Sequence, residues 1–114
     1  STVFNVRVVS TTSTEINLVW DKSVQGDLPI EFYEVRWFPK PELDSPNKTA
    51  LTTKETKAFI EGLTENTEYG FQVRCKTING YGSYSNIVYD QTHMSVGSGM
   101  LFQYSFLKIN HSSV

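Results

Sequence analysis

The side chains best suited to chemistry in this 114-residue chain are one cysteine, Cys75, and two histidines, His93 and His111. A cysteine beside a histidine can act as a thiolate nucleophile, and His/Cys sets at the right spacing can hold zinc. Neither pattern is present here. Cys75 falls in the middle of an alternating stretch, on its apolar side, where a thiol serves as a small core residue. Both histidines fall near the C-terminus, and with Cys75 they match no recognised ligand spacing. The acidic residues are scattered singly, without a calcium-loop pattern. Gly80 and Gly82 lie between two expected strands rather than ahead of a helix, so they do not form a phosphate-binding loop. Arg74 and Lys76 share a polar strand face, which reads as a solvated stripe. The expectation is no catalytic residue, no cofactor and no metal.

These residues are held by one stretch, residues 63 to 85. Tyr69, Phe71, Val73, Cys75 and Thr77 recur at a spacing of two, and Gly70, Gln72, Arg74 and Lys76 alternate with them. That is the period of a half-buried strand, polar on its outer side. Ahead of it, Leu63 and Tyr69 flank a polar turn. A tyrosine so placed can bury its ring and bond its hydroxyl to the upstream backbone. After it, Asn79-Gly80-Tyr81-Gly82 has the backbone freedom that a hairpin needs.

Leu63 to Tyr69, the inward set Phe71, Val73 and Cys75, then Gly80, Gly82 and Ser85, together resemble the signature of a fibronectin type III domain. More narrowly, Phe71-Gln72-Val73-Arg74, Thr77 and Gly80-Tyr81-Gly82-Ser83-Tyr84-Ser85 resemble the second, membrane-proximal such domain of Eph receptor tyrosine kinases. The resemblance covers residues 1 to 92. It implies an all-β, seven-stranded immunoglobulin-like β-sandwich. It also implies a non-catalytic extracellular spacer and interaction module of a plasma-membrane receptor in ephrin signalling, with the kinase and the ligand-binding residues elsewhere in the parent chain. A repeat of a neural cell-adhesion molecule or receptor tyrosine phosphatase is the alternative; the parent sequence beyond residue 92 separates the two. A glycan-binding accessory domain of an enzyme is a third reading. The chain departs from the family in lacking a proline at the start of the first strand, in carrying Cys75 where alanine is common, and in placing Asp90 at an inward position.

Composition agrees with a single domain. Hydrophobic residues make up 39% and charged residues 19%, ordinary for a globular chain. Aromatics reach 13%, which suits strands. A net charge of −2 gives no electrostatic case for nucleic acid. A single cysteine excludes the internal disulfide of an antibody-type domain. No apolar run is long enough to span a bilayer. Sequons at Asn47-Lys48-Thr49 and Asn110-His111-Ser112 make Asn47 and Asn110 glycosylation candidates.

Strands are expected at residues 3–9, 15–20, 30–38, 48–53, 56–61, 69–77 and 84–92. Ile16, Leu18 and Trp20 point inward, as do Tyr33, Val35 and Trp37, while Phe32 and Phe38 face out or lie near an edge. With Leu63, Tyr69, Phe71, Val73 and Cys75 these form the expected core. Gln25-Gly26-Asp27 lacks the arginine of an integrin-binding triplet. The prolines at 39, 41 and 46 mark a loop, and Lys48, Lys54 and Lys57 suit an edge that must not recruit another chain. Lateral protein contacts would involve Phe32, Phe38 and Arg74. Residues 93–114 form a separate tail: a Ser-Gly linker, then the apolar Met100–Ile109, in which Phe102, Tyr104 and Phe106 alternate. A juxtamembrane piece, a variant-specific end and appended sequence are the three readings of the tail, and a weak membrane-surface contact is a possible property of it.

Overall fold

The computed structural model describes residues 3–22, 28–40 and 49–95. The Gln25-Gly26-Asp27 tip, Pro41, Pro46, the sequon at Asn47, and the tail from residue 96 with Asn110 lie outside the described residues. The chain forms β1 (Phe4–Thr11), β2 (Ile16–Asp21), β3 (Phe32–Pro39), β4 (Thr49–Thr53), β5 (Lys57–Ile60), β6 (Glu68–Thr77), β7 (Gly80–Tyr81) and β8 (Val88–Gln91). One sheet has the order β1-β2-β5; the other has β4-β3-β6-β7, with β8 also on β6. Every pairing is antiparallel. The two sheets face one another as an all-β sandwich.

The last expected strand is the first correction. β3 occupies one flank of β6 along its length, so β7 and β8 must share the other. They are two parts of one interrupted edge strand, and residues 84–87 between them are not strand. The interruption is stitched by side-chain and main-chain bonds: Val73 N–H donates to Ser85 Oγ at 3.0 Å and Ser85 N–H to Val73 O at 2.8 Å. A serine hydroxyl there replaces a ladder carbonyl, so no buried donor of β6 is orphaned.

The alternation of apolar residues builds the core. Ile16, Leu18 and Trp20 of β2 meet Tyr33 and Val35 of β3, Ala58 and Ile60 of β5, and Tyr69, Phe71, Val73 and Cys75 of β6. Val3 and Leu63 close the cluster. Trp20 and Tyr33 meet edge to face, with centroids 5.4 Å apart. Tyr69 is buried and its hydroxyl accepts the Thr64 N–H at 2.9 Å, so the ring fixes the corner that leads into β6.

Two neighbours exchange the places expected of them. Trp37 is on the inward row but lies opposite Thr49, where β4 begins, and is only half-buried at the core margin. Phe38, expected outside, is 1% exposed. It does point to the outer face. There it stands opposite Gly70, whose missing side chain leaves room for the ring to lie on the β6 backbone. A Cβ at Gly70 would sit 2.7 Å from Phe38 Cε2 and 3.0 Å from Ile87 Cγ2. Gly70 is therefore required for space, and its loss would push Phe38 off the sheet.

Gly70→Ala is expected to destabilise the domain by about 1–3 kcal/mol through overpacking. Combining it with Phe38→Leu should return part of that loss. Urea unfolding followed by tryptophan fluorescence measures both, and a Gly70→Ala midpoint equal to wild type would disprove the packing account. Tyr69→Phe is expected to cost about 1–2 kcal/mol in the same assay, by leaving the Thr64 amide without its acceptor.

Candidate interaction surfaces

The outer face of the larger sheet carries its polar chemistry. Register places Glu34 opposite Arg74, Arg36 opposite Gln72, and Phe32 opposite Lys76. Arg74 binds Glu34 Oε1 through Nη2 at 2.9 Å and Nε at 3.0 Å. Its guanidinium lies 3.7 Å from the Tyr81 ring centroid and 4.5 Å from that of Tyr84. Arg36 covers Tyr84 at 3.8 Å. Phe32 meets Tyr81 edge-on. The side chains thus stack in the order Phe32, Tyr81, Arg74, Tyr84, Arg36. Gln72 ties the stack to the backbone, accepting from Arg36 Nε at 2.9 Å and donating to Ser85 O at 3.3 Å.

Each cation over a ring contributes about 0.5–1 kcal/mol when exposed and up to about 2 when desolvated. The Arg74 and Glu34 side chains are 25% and 17% exposed, so this ion pair is better shielded from water than an ordinary surface bridge. Tyr84 donates its hydroxyl to Glu34. Burial, with the Glu34 hydrogen bond and charge next, pushes the Tyr84 phenol above its ordinary value. The side chains expected to make lateral contacts are therefore already engaged: Phe38 lies under the sheet's own cover, and Phe32 and Arg74 belong to the stack. The half-exposed Tyr81 is the stack's open edge.

Among the described residues Cys75 and His93 lie at opposite ends of β6. Cys75 is fully buried, opposite Tyr33. Burial, and then the neighbouring Cys75, raises the Tyr33 phenol. His93 is exposed at the far end of β6 from Cys75, near the Glu68–Gln91 pair; His111 lies outside the described residues. Among the described residues no group of three or more His, Cys, Asp or Glu side chains could hold a metal, and no helix is long and apolar enough to cross a membrane. Asp90 takes its inward position in register with Tyr69, half-buried, and accepts the Gln91 N–H through its own carboxylate.

The two poles are built differently. At the entry pole Asn5 takes a left-handed φ of 58° at a break in the β1–β2 register. Asn5 Nδ2 donates to Asp21 Oδ2 at 2.8 Å, and Arg7 bridges to Asp21 at 3.2 Å. The Asn5 bond, then Arg7, holds the Asp21 carboxyl below the usual range. At the exit pole Thr92 is buried. Its Oγ1 accepts the Thr67 N–H at 3.0 Å and donates to Thr64 O at 2.7 Å. His93 N–H donates to Thr12 O at 2.9 Å and His93 O accepts from Asn66 N–H at 3.0 Å. Chain entry, at the Phe4–Asp21 end of β1, and chain exit, beside Thr12, are thus separated by the length of β1, about 25 Å.

Two antiparallel sheets packed face to face define the immunoglobulin-like β-sandwich class. The fibronectin type III family model matches residues 1–91, and the chain belongs to that family. Such domains are generally non-catalytic. The chain is 39% identical over 87 residues to ephrin type-B receptor 5 of Gallus gallus, covering 76% of this chain and 9% of that protein. It is 36% identical over 92 residues to ephrin type-B receptor 2 of Coturnix japonica, covering 81% and 9%. It thus spans about a tenth of the length of these curated relatives. In fold it is similar to the sixth fibronectin type III domain of human fibronectin type III domain containing protein 3, with a TM-score of 0.70 at 18% identity, covering 85% and 89%. It is likewise similar to the chicken CNTN1 FN1-FN3 domains, with a TM-score of 0.73 at 22% identity, covering 82% and 31%.

A phenol whose ionisation is raised in the folded state contributes stability below its unfolded value, and that contribution fades as pH rises through the folded one. Wild type should therefore lose stability above pH 10, the ordinary tyrosine value, more steeply than Tyr84→Phe. Urea midpoints measured across that range for both proteins test this; parallel pH profiles would contradict it.

Proposed function

We propose that this module is a non-catalytic extracellular spacer and protein-interaction domain of an Eph-type receptor tyrosine kinase, acting in ephrin signalling. Its sequence similarity to ephrin receptors supports the receptor class. The observation that carries the spacer role is the placement of entry and exit at opposite poles. A chain passing through such a domain advances by the domain's length instead of doubling back. The exit pole supports the same reading: Thr92 and His93 are bonded to two separate segments, the turn at Thr12 and the turn from Thr64 to Thr67, so the direction in which the chain leaves is set by the fold. Its partners are other proteins, receptor neighbours or cell-surface ligands, and the kinase lies in another part of the parent chain. Asn47, in a proline-rich stretch of the sequence, carries the N-glycan expected of an extracellular module.

The test is a graft. Residues 1–92 replace the matching segment of ephrin type-B receptor 2, and ephrin-stimulated receptor phosphorylation is measured on cells. A spacer should preserve both surface delivery and the response. A graft that reaches the surface but no longer responds would overturn the reading. Secretion of the domain from animal cells adds a second check: a glycosidase-sensitive mass lost in Asn47→Gln is expected.

A further inference from the structure

The smaller sheet has an outer face that its own fold leaves bare. In a sandwich that face is ordinarily polar. Here Val9 is 58% exposed and Phe59 50% exposed, with the half-buried Val19 between their strands. Val9 protrudes at a bulge in the β1–β2 register, between Val8 and Ser10. Phe59 stands opposite Asn17 on the edge strand β5, and Val19 opposite Lys57. A groove of about 440 Å³ runs over this face and around the β5 edge, bordered by Val9, Val19, Leu51, Lys57 and Phe59. Lys57 shares this face, in register with Val19, and its ammonium lies 3.9 Å from Glu55, so the apolar side chains are bordered by an ion pair.

We propose that this face is the docking site for the chain's own apolar segment, Met100–Ile109. The chain leaves the domain at His93, whose amide is bonded to Thr12 O at the end of β1. Val9 is three residues back along that strand, about 10 Å away. Phe59 lies two strands across, a further 10 Å or so. Residues 94–99 can span roughly 20 Å when extended, which reaches both. Ser95, Gly97, Ser98 and Gly99 make this stretch rich in serine and glycine. The segment offers Met100, Leu101, Phe102, Tyr104, Phe106 and Leu107, a concentration of apolar side chains unlike that of any loop in the domain. Of the other exposed apolar residues, Tyr81 and Tyr89 belong to the larger sheet, where Arg74 and Lys40 lie over their rings. Phe4, Leu28 and Ile78 belong to the entry pole or the turns leading to it, a full strand length from the exit. This inference stands independently of the receptor assignment, since it concerns only the chain's own residues.

Limited proteolysis of the full 114-residue chain tests it. Chymotrypsin cleaves after Phe102, Tyr104 and Phe106 if they are accessible. In the wild-type chain those cuts should be slow. In the double variant Val9→Ser with Phe59→Ser they should accelerate by roughly tenfold, the effect of about 1.4 kcal/mol on a docking equilibrium. Both substituted side chains are exposed, and an unchanged near-ultraviolet circular dichroism spectrum would show that the domain itself is intact. A second pair, Phe4→Ser with Ile78→Ser, should leave the cuts slow. Equal cleavage rates in wild type and in the face variant would overturn the proposal. Protection that rises with protein concentration would also overturn it, by showing that the segment occupies a second copy. So would fast cleavage in solution that slows only on adding phosphatidylcholine–phosphatidylserine vesicles, by showing that a lipid surface takes the segment instead.

Discussion

The pairing of β3 with β6 is the interaction on which the rest of this domain depends. Eight consecutive residue pairs join them, from Phe32 with Lys76 to Pro39 with Tyr69. Antiparallel register with a period of two fixes both faces at once. The odd-numbered residues, among them Tyr33, Val35, Phe71, Val73 and Cys75, are committed to the interior. The even-numbered ones, Glu34, Arg36, Gln72 and Arg74, are brought side by side outside. A slip of β6 by one residue would bury Arg74 and Lys76 and expose Val73 and Cys75. The cost of stranding those charges in the core far exceeds that of any single surface contact. The stacked cations on the outer face are thus a consequence of the same alternation that fills the core.

The outer stack in turn accounts for the interrupted edge strand. A regular strand opposite β6 would carry its side chains alternately in and out along its whole length. Between Tyr81 and Val88 the chain instead leaves the ladder. That departure lets Tyr84 lie flat between two guanidiniums while Ser85 still satisfies Val73. The hydrogen bonds forgone by the backbone are offset by a serine hydroxyl, a tyrosine–carboxylate bond and two cation–ring contacts. Ile87, just beyond, covers Phe38 and brings the edge back to β8. Irregularity at this edge also blunts it, since an interrupted strand presents no continuous template to another chain.

Much of this was legible from local pattern. The alternation from Tyr69 to Thr77 marks β6 and its faces, and Ile16, Leu18 and Trp20 mark β2, because each signal lies within one strand. The turn before Tyr69 declares the corner for the same reason. The exchange between Trp37 and Phe38 was not legible. Phe38 is on the outward row as its period requires; it is buried because a glycine thirty-two positions later leaves a space beneath it. Nothing near Phe38 in the sequence carries that information. The stack is similar: Arg74 and Tyr81 are separated by a hairpin, and Glu34 comes from a different strand altogether. The expected contact residues Phe32 and Arg74 do lie on the outer face, but period says only which side a residue faces, not what else arrives there.

The same distinction bears on how such a module works in a longer chain. A surface whose cations are already stacked and paired resists recruitment, because a partner would have to replace contacts that exist. The stack therefore stiffens the larger sheet rather than advertising it. The bonded exit pole does the same for the chain's path, and the Asn5–Asp21–Arg7 cluster for its entry. Among the described residues the smaller sheet, of three strands, carries exposed apolar side chains at Val9 and Phe59. A domain of this construction divides its labour by face: one sheet carries rigidity, and the other is where a covering segment would find apolar surface to bury.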